Sequence, residues 1–171
     1  MSKSKRIFSL SVASLVVLLV LMVPVAAGTT RTEYFGTEYC VGPMTGGREW
    51  VSEDGMLHLR GGEQPYYDDV SDPRLSGDAL VTVNYNFQMA EPPVYVYGRM
   101  WGTFRIENEG GYWEGHWVGE RTEEGSSYIR TVLHGHGDYE GLLTHTDYVR
   151  ENPNPAAPFS VSGVILEPGE H

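Results

Sequence analysis

Beyond position 5 the chain contains no lysine: Lys3 and Lys5 are the only two among its 171 residues. A lysine nucleophile or Schiff base is therefore excluded from everything that follows the N-terminal leader. Cysteine is nearly as scarce, with Cys40 alone, so no internal disulfide can brace the fold. Also missing are a G-x-S-x-G elbow, an H-E-x-x-H pair, a phosphate-cradling glycine loop and a C-x-x-C pair. Hydrolase, zinc-protease, nucleotide and dithiol chemistries thus lack local support. No Asn-x-Ser/Thr glycosylation acceptor occurs. Past Gly28, no stretch of ten or more residues carries a helical period.

What is present begins with an address. Lys3, Lys5 and Arg6 precede an apolar run from Ile7 to Val25, and Val25-Ala26-Ala27 offers small residues before a cut at Gly28. Residues 1–27 are read as a signal peptide, and the product is expected outside the cytoplasm, secreted or at the cell surface or periplasm. The run approaches the roughly 20 residues that span a bilayer, so membrane contact is expected only through this segment if it stays uncleaved. Of 171 residues, 27 in the leader leave 144, the size of one domain (28–171). Of 12 cations, three leave with the leader; nine arginines against 23 acidic residues give a mature net charge of −14. Such a surface repels phosphate backbones, and no nucleic-acid partner is expected. Cys40 is expected to be a small buried hydrophobe.

Regular stretches alternate two by two. Ala79, Val81, Val83, Tyr85, Phe87 and Met89 share one face, with Thr82, Asn84, Asn86 and Gln88 on the other, which is the pattern of a half-buried strand. Val94–Glu107 repeats it, and a Gly-Gly turn joins it to the strand carrying Trp113, Gly115, Trp117 and Gly119. Further strands are expected at Thr32–Cys40, Arg48–Ser52, Met56–Arg60, Ser127–His134, Tyr139–Tyr148 and Phe159–Leu166, separated by turn residues. The stretch Glu63–Arg74, with Asp68, Asp69 and Asp72, reads as a solvated acidic loop. With eight or nine short antiparallel strands and no helix, the expected fold is all-β: a single antiparallel β-barrel, with a two-sheet sandwich or jelly roll as the alternative. Large and glycine residues alternating on the inward face favour the barrel.

The aromatics Tyr85, Phe87, Phe104, Trp113, Trp117 and Tyr139 fall on inward faces and are the candidate lining of an internal site for a small apolar molecule. Tyr97, Trp101 and Tyr112 fall on outward faces and leave a homo-oligomer contact open. The acidic residues fall mainly in turns and on outward faces, so the interior is expected to be nearly uncharged. No cofactor is expected, and no catalytic residue is assigned.

Two family resemblances lie between Leu133 and Leu142. His134, His136 and Glu140 have the H-x-H-x3-E spacing that resembles the first motif of the cupins, which implies a metal ligand set; the flanking glycines and second histidine motif of that family are missing. Alternation places both histidines outward, opposite Leu133 and Gly135. Gly135-x-Gly137-x-Tyr139-Glu140-Gly141 resembles the late strand of the allene oxide cyclase and dirigent-like barrels. That resemblance implies an eight-stranded barrel holding an apolar molecule and steering its cyclisation or isomerisation by shape. A metal enzyme and a non-catalytic extracellular module remain the alternatives.

Overall fold

The computed structural model describes residues 28–89, 96–154 and 156–169. The expected leader and the first positions of the strand expected from Val94 lie outside these residues. Alternation of branched and aromatic with polar side chains produces nine strands: β1 (Thr30–Cys40), β2 (Thr45–Val51), β3 (Met56–Val70), β4 (Gly77–Met89), β5 (Val96–Asn108), β6 (Gly111–Arg121), β7 (Ser127–Gly137), β8 (Leu143–Arg150) and β9 (Phe159–Glu167). Among the described residues the only helical turn is a 3-10 segment, Pro73–Leu75, capped by Asp72.

From β2 to β9 each strand pairs antiparallel with the next, β9 pairs with β1, and β1 pairs with the second half of β3. Eight strands thus close a hydrogen-bonded ring, with β2 held outside it on the first half of β3. Ring closure removes the free edges that an open sheet would offer. The fold is therefore the expected antiparallel barrel rather than a sandwich.

Two expected boundaries move by more than three residues. The strand expected to stop at Arg60 runs on to Val70, so the stretch read as an acidic loop is largely strand. The cause is a bulge between Leu59 and Gly62, with Gly61 at φ +72, a conformation glycine adopts without penalty. One extra residue shifts the alternation: Leu59 faces in before it, and Gln64, Asp68 and Val70 face in after it. The strand expected from Tyr139 begins instead at Leu143, because residues 138–141 form a turn.

One end of the ring is solid. Trp113, Ile106, Leu133 and Ile165 are wholly buried there, and the 3-10 turn caps them with Leu75. Trp113 donates through Nε1 to the Arg74 carbonyl at 2.7 Å and stacks on Tyr139 at 5.4 Å. Arg74 ties this cap to Asp72 and, at 2.5 Å, to Glu167 on β9. In mid-barrel, Trp117 crosses Gly102 to donate to the Thr82 carbonyl at 3.0 Å. A Cβ at Gly102 would overlap both that oxygen and the indole nitrogen, which is why a glycine sits between Met100 and Phe104.

Candidate functional site

The opposite half of the barrel encloses a cavity of about 210 Å³. Its apolar wall carries Val81, Val83, Tyr85, Phe87, Met100, Phe104, Trp117, Ile129 and Phe159, and its mouth lies at the exposed Cys40 and Met44. Tyr85 and Phe87 stack at 4.3 Å, nearly parallel, as the two inward neighbours i and i+2 of one strand. The Tyr85 hydroxyl reaches out to Glu49 of β2, so the external strand fixes one side of the wall.

The remaining wall is polar, and strand register explains how. Arg121 pairs with Ser127, Ser127 with Arg150, Phe159 with Glu38, and Glu38 with Asp68. Arg150 and Phe159 stand on neighbouring strands, with the guanidinium 4.5 Å from the ring centroid. These six inward residues form one cross-strand rung through β6, β7, β8, β9, β1 and β3. All but Asp68 line the cavity. The interior is therefore not the nearly uncharged space expected from the sequence. Four charged-type side chains stand in it, three of them at the ends of β1, β6 and β8 and one brought inward by the bulge in β3.

Glu38 and Asp68 are 3% and 1% exposed. Glu38 Oε1 and Asp68 Oδ1 each lack a donor from elsewhere in the described residues, and a proton shared between the two carboxyls satisfies both. Burial pushes Glu38 well above the ordinary carboxylate range, with the neighbouring Asp68 charge adding to the effect and Arg150 opposing it. Burial likewise pushes Asp68 up to about 7, against the hydrogen bonds from Tyr148 and Glu38. The Tyr148 hydroxyl donates to Asp68 Oδ2 at 3.0 Å, which makes Asp68 the member that ionises and leaves Glu38 holding the proton. Tyr148 is itself pushed up by burial and by the Asp68 charge. A protonated carboxyl on a cavity wall, backed by a carboxylate of pKa near neutrality, is an arrangement that can donate a proton and take one back.

Of the six aromatics proposed as lining, Tyr85, Phe87, Phe104 and Trp117 meet at the cavity. Trp113 and Tyr139 instead pack in the solid end, where the Tyr139 hydroxyl donates to Asn108 at 2.6 Å. His134 is exposed on the outer face, and His136 stacks outside on Tyr112 at 4.6 Å, within 3.7 Å of both Glu114 and Glu140. Among the described residues no group of three potential ligands converges on a metal position. Cys40 is exposed at the cavity mouth rather than buried, its thiol directed to the Gly42 carbonyl at 3.2 Å; it is the last residue of β1, where the ring ends and the wall opens. Sequence reasoning missed Glu38, Asp68, Arg121 and Arg150. Glu38 and Arg121 were within reach, since each continues the inward alternation of its strand (Tyr34-Gly36-Glu38; Trp117-Gly119-Arg121). Comparison of the chain with family models, with curated proteins and with solved structures finds no match.

Proposed function

We propose that this chain is an exported barrel that takes a small, mostly apolar molecule into its interior. The observation that carries the reading is the aromatic-walled cavity at one end of a ring whose other end is packed solid. A volume of 210 Å³ falls below the roughly 300 Å³ at which sites for drug-sized molecules begin, so the occupant is smaller than those. The leader at residues 1–27 supports export, and the late glycine strand keeps the allene oxide cyclase and dirigent-like barrels as the resemblance of reference. The test is native mass spectrometry of the full chain with monocyclic terpenoids, short fatty acids and simple aromatics, beside a Val83→Trp variant that fills the cavity. Retention by the wild type and loss in the filled variant is the expected result. Retention of nothing, or equal retention by both, overturns the reading.

The carboxyl pair favours a second step on the same site, isomerisation of the bound molecule by proton transfer. Glu38 is then the group facing the substrate, and Asp68 positions and recharges it. Retained ligands are expected to exchange a carbon-bound proton for deuterium in D2O, and Glu38→Gln to stop the exchange while leaving retention intact. Retention without exchange leaves a binding protein.

A further inference from the structure

We propose that the occupant is a small aromatic monocarboxylate, its ring among Phe87, Phe104 and Trp117 and its carboxylate held by Arg121 and Ser127 beneath Arg150. This rests on the cavity-binding reading above and names the ligand class.

The inference starts from the Arg-Ser-Arg part of the rung. Arg121, Ser127 and Arg150 occupy adjacent inward positions on β6, β7 and β8, so neighbouring members are separated by one strand spacing, about 5 Å. Two long cations therefore flank one short hydroxyl at the cavity wall. Ser127 is 1% exposed, and among the described residues its Oγ has no hydrogen-bond partner; nor has Arg121 Nε. A buried donor left open in this way costs about 1–3 kcal/mol, and a ligand that fills both recovers it. Arg121 is meanwhile held in place by its other end, with Nη2 donating to the Pro153 carbonyl at 3.2 Å. Arg150 is anchored over Phe159.

Two open donors, one of them on a guanidinium, match the two oxygens of a carboxylate. A phosphate presents three strong acceptors and a second charge, more than Arg121 Nε and Ser127 Oγ together satisfy. The two guanidiniums repel each other, and an anion between them removes that repulsion. The facing wall opposes the anion less than an ordinary carboxylate would, because burial favours the protonated form of Glu38. Size and lining select the rest of the molecule: a single ring with a short acid arm fits the volume, and flat aromatic walls favour an aromatic ring. In a chain whose mature charge is −14, a cationic row pointing inward has no role in surface solubility.

The test is isothermal titration calorimetry of the full chain at pH 7 with phenylacetate and with phenylacetamide, which has the same shape and no charge. The acid is expected to bind at least about tenfold more tightly than the amide. Arg121→Gln is expected to erase that preference by weakening only the acid, and Ser127→Ala to weaken the acid alone by about fivefold, both losses sized for a hydrogen bond to a charged group. Equal binding of acid and amide, or an unchanged acid affinity in both variants, overturns the carboxylate assignment and leaves the cavity reading standing. Binding of neither compound, with circular dichroism showing an intact sheet, overturns both.

Discussion

Asp68 carries its ordinary value of 3.8 in the unfolded chain and about 7 in the barrel. Between those values the native state binds a proton that the unfolded state has already released, so this residue's contribution to stability falls as pH rises. It is fully present below pH 4 and lost by the time pH passes 7. Asp72 acts in the opposite sense: its hydrogen bonds from Arg74 hold its carboxylate below the usual range, so its contribution is present above pH 4 and lost in stronger acid. The two windows do not overlap, which allows them to be separated. Asp68→Asn keeps the shape of the side chain and removes only the titration. Burial raises Glu38 as well, so its contribution declines in the same direction. The expected outcome is a urea midpoint that declines less steeply than wild type between pH 4 and 7 and lies above it at pH 8, a difference worth a few kcal/mol at most in unfolding free energy. A decline as steep as that of wild type would assign the slope to another group.

At the scale of the strand, Gly61 decides whether the site exists. Nothing lies within 4 Å of a Cβ built there, but its φ of +72 is one that other residues adopt with difficulty. Gly61→Ala is therefore expected to cost only about 1 kcal/mol, as strain without a clash. Deleting Gly61 is different in kind, because it returns β3 to a single phase and turns Gln64, Asp68 and Val70 toward solvent. Thermal melts of the two variants are expected to show a modest drop for the substitution and no cooperative transition for the deletion. A deletion that melts like wild type would mean that the register re-forms without the bulge. The same residue explains what the sequence concealed. Uninterrupted alternation made β4, β5 and β6 legible, together with four of the cavity aromatics. In β3 the alternation breaks at Gly61-Gly62, Pro65 follows, and three aspartates come after, so local rules read loop. Asp68 turns inward only because an extra residue precedes it, and its partner Glu38 is fixed by a β1–β3 pairing that spans sequence positions far apart. Phase within a strand is a local property, whereas the identity of a strand's neighbour is not.

For the whole molecule the decisive contact is the one between the first and last strands, β1 and β9. Thr30 pairs with Glu167 and Glu38 with Phe159, while β9 also covers β8 from Leu143 to Val149. Closure thus waits for the last strand, after every other one has been laid down, and such long-range pairing is slow to form. Without β9 both β1 and β8 present open edges, and the core loses Phe159, Val161 and Ile165, each buried. The polar rung is cut as well, because Phe159 stands between Arg150 and Glu38. A chain ending at Pro158 is therefore expected to aggregate and to bind a hydrophobic dye, with no cooperative melt. Because the deficit is one strand between two known edges, a synthetic peptide of residues 159–169 is expected to insert and restore a soluble, cooperatively melting barrel. A peptide with Val161 and Ile165 both replaced by Asp keeps the backbone donors but cannot face the core, and is expected to fail. A truncated chain that is monomeric and melts cooperatively by itself would show that β1 and β8 can close the ring without β9.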